Sequence, residues 1–135
     1  MICLLRIPVP QSVAGRTRAG HETCKLLDLA TDIAMRLPAP PPLYEAGVRF
    51  IPQRPGVQDF RLPLDTYRSG GGDCKMLVVW RLAELRRAGE RATPNIIWKR
   101  VPGGWQAHAR VRRADGTVED PSIELGMGAS RRRPR

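Results

Sequence analysis

One α+β domain is predicted by three features of the chain. Two segments carry a helical period, the C-terminal third carries alternating segments, and 135 residues enclose one core but hardly two. Hydrophobic residues make up 41% without a long uncharged apolar run, which argues for a soluble globular protein and no transmembrane helix. The opening Met1-Ile2-Cys3-Leu4-Leu5-Arg6-Ile7 is too short, and Arg6 too central, for a signal peptide. The expected location is the inside of a cell or a particle assembled there.

Residues 2 to 9 read as a short strand ended by Pro8 and Pro10, followed by a polar connection to about Gly20. From His21 to Leu37 the pattern is helical. Leu26, Leu27, Ala30, Ile33, Ala34 and Leu37 form one stripe, and Glu22, Lys25, Asp28, Asp32 and Arg36 line the other side. Pro38 stops this helix, and Pro38-Ala39-Pro40-Pro41-Pro42 is a stiff spacer, too short to separate domains. Gly47 to Ile51 reads as a strand, Pro52 to Pro63 as irregular, and Leu64 to Arg68 as a short helix.

Gly70-Gly71-Gly72 lacks the Gly-Lys-Ser/Thr ending and preceding strand of a phosphate loop, so these glycines predict a sharp turn. Asp73 then stands as N-cap of a helix from Cys74 to Ala88, with Gly89 at C′. Leu77, Val78, Leu82 and Leu85 form its stripe, Val79, Trp80 and Ala83 widen it, and Arg81, Glu84, Arg86 and Arg87 mark the side expected to stay wet. Beyond Pro94, the stretches Asn95 to Val101, Trp105 to Arg113 and Thr117 to Asp120 read as strands. In the middle one Trp105, Ala107, Ala109 and Val111 alternate with Gln106, His108, Arg110 and Arg112, which puts His108 on the polar face.

Cys3, Cys24 and Cys74 are odd in number and widely spaced, so reduced thiols are expected rather than a disulfide framework. His21 and Cys24, at i, i+3, could face one ion, yet the chain offers no second pair for a structural zinc. Neither metal nor cofactor is therefore expected, and Cys24 reads as a small core residue with His21 a solvated helix-start residue. The net charge is +10, and Arg131-Arg132-Arg133-Pro134-Arg135 contributes four of the positive charges. That tail, residues 131–135 beyond a domain of 1–130, reads as a solvated terminus. It is the one segment expected to meet phosphates, since no nucleic-acid-binding motif occurs in the body and the tryptophans lie in segments that look buried.

Among the thiols Cys74 is the candidate nucleophile, because a helix start supplies free N–H groups and a dipole that favour a thiolate. A histidine on a strand can face that helix start as general base, and a carboxylate on the adjoining strand can fix its tautomer. Cys74, His108 and Asp120 occur in that order. The competing reading makes Cys74 a small buried residue, His108 a surface histidine and Asp120 a strand end before Pro121.

Gly70 to Ala92, with GGGDC leading an apolar helix and Leu85-Arg86-Arg87-Ala88-Gly89, resembles the nucleophile segment of transglutaminase-like proteins, a branch of the papain-like fold. The resemblance implies a cysteine opening a buried helix, a histidine on a later strand and an aspartate on the next, often before proline. Cys74, His108 and Asp120, with Pro121 behind, occupy those positions. The whole length, including Pro41-Pro42-Leu43-Tyr44 and Gly47-Val48-Arg49-Phe50, is similar to small transglutaminase-like proteins of tailed phages and prophages. Lys75 departs from the acidic residue frequent there, and Gln106-Ala107 stand before the histidine.

The resemblance implies an N-terminal helix and a nucleophile helix packed on a small antiparallel sheet, and a thiol hydrolase, peptidase or acyltransferase acting on a protein or peptide amide. One oxyanion donor would be the Cys74 N–H, and the second Gln53, Gln58 or an indole N–H. The alternative is a non-catalytic structural or adaptor component of a phage virion, docking on other virion proteins. The implied location is the bacterial host cytoplasm or the virion.

The last hairpin decides whether the acid reaches the base. A two-residue turn at Asp115-Gly116 would put His108 and Asp120 on opposite faces. A three-residue loop of Ala114, Asp115 and left-handed Gly116 pairs Arg113 with Thr117 and Arg110 with Asp120, so both side chains share a face. The odd-length loop is the expectation.

Overall fold

The computed structural model describes residues 12–54 and 59–128. They form α1 (Val13–Met35), a 3-10 turn (Leu43–Glu45), β1 (Arg49–Phe50), α2 (Pro63–Arg68), β2 (Gly71–Gly72), α3 (Cys74–Arg87), β3 (Thr93–Val101), β4 (Gly104–Arg112), β5 (Val118–Glu119) and α4 (Pro121–Glu124). The fold class is α+β. Strands β3, β4 and β5 make a three-stranded antiparallel sheet in that order, and β1 pairs with β2 in a small parallel one. The expected strand over residues 2 to 9, Cys3, Gln58 and the arginine tail lie outside the described residues.

Asp73 starts α3 by accepting the Lys75 and Met76 backbone N–H groups at 3.0 and 3.1 Å, the N-cap role its position predicts. The helix then serves two hydrophobic clusters. Val78, Val79, Leu82, Ala83 and Leu85 meet Leu27 and Ala34 of α1, Phe60, and Ala109 and Val111 of β4. Leu77 and Trp80 meet Leu43 and Val48 on the other flank. Leu77, Val78, Val79, Leu82 and Ala83 are all at 0% exposure. Each of the larger ones contributes about 1.5–3 kcal/mol through burial, so α3 holds the α1 side and the β1 side of the domain together.

The side of α3 expected to be wet is largely covered. Arg81 ion-pairs with Glu84 and Glu119, and Arg86 with Asp28, leaving only Arg87 of the four exposed. Even Arg87 is used, since its Nη2 donates to the Ala34 and Leu37 carbonyls at 2.6 and 3.1 Å and closes the C-terminal end of α1.

Helix α1 begins eight residues before the expected His21, so His21 is an exposed mid-helix residue. Ser12 caps the start by accepting the Gly15 N–H at 3.0 Å. Tertiary contacts favour the helix over the polar connection that its glycines suggest. The Trp98 indole donates to the Arg16 carbonyl at 3.0 Å, and the Arg16 guanidinium lies 4.1 Å from the Trp105 ring centre. The buried face also differs from the expected stripe. It is Ala19, Gly20, Thr23, Leu27, Thr31 and Ala34, while Leu26 and Ile33 are exposed. Thr23 and Thr31 enter the core because their hydroxyls donate to the Ala19 and Leu27 carbonyls one turn back, at 2.8 and 2.7 Å. Cys24 is half-buried, with its thiol 3.7 Å from the Pro94 carbonyl oxygen.

The glycine run does more than turn the chain. Gly71 and Gly72 form β2, laid parallel against β1, with Arg49 N–H donating to the Gly70 carbonyl at 3.1 Å and Ile51 N–H to the Gly72 carbonyl at 2.8 Å. Gly71 has φ +151°, and a Cβ there would stand 1.9 Å from the Arg49 carbonyl oxygen. Strand β2 thus delivers Asp73 and Cys74 to the start of α3. Gly71→Ala should destabilise the domain by roughly 3 kcal/mol or more, because backbone has to move. Gly116→Ala, where a Cβ would meet open space, should cost only about 1 kcal/mol for its positive φ. Chemical denaturation of the two variants measures the difference.

Candidate active site

Three local structures converge on one imidazole. The β4–β5 hairpin has the odd-length loop. Val111 pairs with Glu119 and Arg112 with Val118, the Arg113 N–H donates to the Thr117 carbonyl at 2.8 Å, and Gly116 takes φ +88°. Continued along the strands, this register sets Asp120 opposite Arg110 and diagonal to His108. Asp120 Oδ2 lies 2.7 Å from His108 Nε2.

Asp120 is oriented from both ends. It is the N-cap of α4, where Pro121 fills the first helical position and Oδ1 accepts the Ile123 N–H at 3.4 Å. One carboxylate oxygen is thus held by backbone and the other by the imidazole. Nε2 is committed to Asp120, which leaves Nδ1 as the free ring nitrogen, and the Cys74 thiol is near enough to favour protonation of the ring. Cys74 is half-buried and forms no disulfide.

His108 lies on the strand face expected to be polar, yet it is 5% exposed. Burial opposes protonation of the ring, but Asp120 and Cys74 outweigh it, and the His108 pKa is pushed up to about 9. Burial likewise opposes ionisation of Asp120, while the His108 hydrogen bond and charge, with Lys99 adding to them, hold its carboxyl below the usual range. The pair therefore exists as imidazolium and carboxylate around neutral pH.

Asp73 and Gln53 brace the start of α3. Gln53 Nε2 donates to the Asp59 carbonyl at 2.8 Å and to Asp73 Oδ2 at 3.0 Å, and its Oε1 accepts the Asp59 N–H at 3.3 Å. Both amide hydrogens are thus engaged, so Gln53 holds the N-cap and the 53–59 loop rather than pointing a free donor at the thiol. Two indole N–H groups are also taken, Trp80 by Pro41 and Trp98 by Arg16. The cap receives the Lys75 and Met76 N–H groups and leaves the Cys74 N–H outside it.

Glu119 is a residue whose importance was not foreseen. It accepts from Tyr44 Oη at 2.6 Å, Arg81 Nε at 2.6 Å, Arg81 Nη2 at 3.2 Å and Arg113 Nη1 at 3.0 Å. These donors keep its carboxyl below the usual range against the opposing effect of burial. The visible signal was alternation, since Glu119 must face away from Asp120 on the same strand.

No family model, curated protein or solved structure matches this chain. Among the described residues no His, Cys, Asp and Glu side chains gather as a metal site, and no helix is long and apolar enough to cross a membrane.

The pH dependence of the pair can be stated with its sign. His108, raised from 6.5, contributes stability that is complete below about pH 6.5 and lost as pH rises through about 9. Asp120, lowered from 3.8, contributes stability that is present above 3.8 and lost as the solution is acidified below it. Asp120→Asn keeps the cap and removes the charge. It should cost about 1–3 kcal/mol between roughly pH 4 and 6.5, and progressively less as the pH rises from about 6.5 to about 9. Urea unfolding of parent and variant across that range measures it.

Proposed function

We propose that this domain has a transglutaminase-like, papain-like fold and catalyses cysteine-dependent acyl transfer from an amide, with hydrolysis as its simplest form. The observation that carries the proposal is a buried imidazole bonded to Asp120 through Nε2, with the Cys74 thiol near enough to influence its protonation. In the proposed cycle the Cys74 thiolate attacks the carbonyl carbon, and the Cys74 N–H receives the developing oxyanion. His108 gives its Nδ1 proton to the departing nitrogen, the C–N bond breaks and a thioester remains. Water, or an amine, then gives a proton back to His108 while attacking the thioester, and the carbon–sulfur bond breaks to restore the thiolate. Asp120 keeps the Nε2 proton in place throughout and orients the ring.

Alkylation by iodoacetamide tests this without a known substrate. At neutral pH Cys74 should react at least about tenfold faster than Cys24, because rate follows thiolate population and access. Burial pushes the Cys24 thiol up. His108→Ala should slow Cys74 by about tenfold, since the neighbouring imidazolium is lost. Mass-spectrometric rates for each cysteine give the answer. Equal Cys74 rates in parent and variant would reject the enzyme and leave a scaffold that keeps the geometry alone.

A further inference from the structure

We infer that the amide taken by this site belongs to an acidic peptide segment, whose carboxylates lie along the strip of β3 and β4 beside His108. The inference rests on the acyl-transfer reading and adds the class of substrate. Pairing of Ile97 with His108, Asn95 with Arg110, Thr93 with Arg112 and Lys99 with Gln106 fixes which residues share the His108 face. Three of them are cations: Lys99, Arg110 and Arg112. Lys99 is diagonal to His108 across the strand pair, about 7–8 Å away by sheet geometry, and Arg110 is two residues along the same strand, about 6.5–7 Å away. Lys99 is also near enough for its charge to favour ionised Asp120.

These three cations keep different company from the arginines that brace the fold. Arg81, Arg86 and Arg113 each have carboxylate partners, as does Lys75 at Asp73. Lys99 and Arg112 are exposed and have no ion pair among the described residues, and Arg110 donates only to the neutral Asn95 amide oxygen, at 3.2 and 2.9 Å. Asp120 is the carboxylate that this register brings to the face, and His108 already neutralises it. Exposed Val118, paired with Arg112, and half-buried Ile97 give the strip apolar ground between its charges. An extended segment with carboxylates flanking the reacting amide complements that surface, and the unopposed positive potential also raises its rate of encounter.

The test compares two probes of one size, anionic iodoacetate and neutral iodoacetamide, by their rate ratio at Cys74. Lys99→Glu, at an exposed site, should lower the iodoacetate/iodoacetamide ratio about threefold at low ionic strength, with the difference fading in concentrated salt. The triple variant Lys99→Gln/Arg110→Gln/Arg112→Gln should do the same. A glutamate-rich decapeptide should slow iodoacetamide labelling of the parent and not of the triple variant. Unchanged ratios in both variants would overturn the inference, and so would a single-stranded oligonucleotide that protects Cys74 as well as the peptide, by assigning the strip to phosphates. Failure of the acyl-transfer reading has a separate signature, the insensitivity of the iodoacetamide rate to His108→Ala.

Discussion

The cluster at Glu119 is the constraint on which the rest of the site depends. Arg81 lies two turns along α3 from Cys74, and Glu119 directly precedes Asp120, so the Arg81–Glu119 ion pair joins the thiol's helix to the carboxylate's strand. Both side chains are mostly buried, at 15% and 17% exposure, and the pair is reinforced by Tyr44, Glu84 and Arg113. Removing one partner would leave a desolvated charge behind, which costs far more than losing a surface pair. The separation of Cys74 and Asp120 therefore does not depend on the single bond to His108. Two rigid elements, clamped at a second point, define it.

Much of this was legible in the sequence where local chemistry acts alone. Asp73 before an apolar run and Gly89 behind it bound α3 correctly because caps satisfy backbone groups within a turn of themselves. The hairpin loop was legible because a left-handed glycine and a register parity leave few options. Helix α1 was legible in Leu27, Ala30 and Ala34, which do face the core, but not at its start or in the rest of its inward face. Its first eight residues contain Gly15 and Gly20 and are held by Trp98 and Trp105, more than seventy residues away in the chain. Its core face contains threonines that a polarity pattern assigns to water, whereas their hydroxyls bond within the helix and present methyl groups.

A similar limit applies to charge. Periodicity marked Arg81, Glu84 and Arg86 as residues outside the apolar stripe of α3, but could not show that Asp28, Glu119 and Tyr44 would cover them. Alternation placed His108 opposite Ala109 and Val111, which is also correct, while its burial comes from groups that only the tertiary fold brings there. Gln53 shows the same limit on function. Its residue type and location fit an oxyanion donor, but the structure uses both amide hydrogens to hold the cap and the 53–59 loop.

Adjacent carboxylates on β5 with unlike duties follow from this register. Glu119 faces the arginines of α3 and the loop, and Asp120 faces His108, because successive strand residues point to opposite sides. A slip of one residue would exchange them, sending Asp120 toward Arg81 and Glu119 toward the imidazole. The hairpin is locked against that slip. Asp115 Oδ1 accepts both the N–H and the hydroxyl of Thr117, at 2.9 and 2.6 Å, and Gly116 N–H closes the turn on the Arg113 carbonyl at 2.9 Å. Arg113 then ties the same turn to Glu90 and Glu119. The loop's short-range bonds thus select the parity, the Arg81–Glu119 pair fixes the strand on α3, and Asp120 is left as the residue that can meet His108.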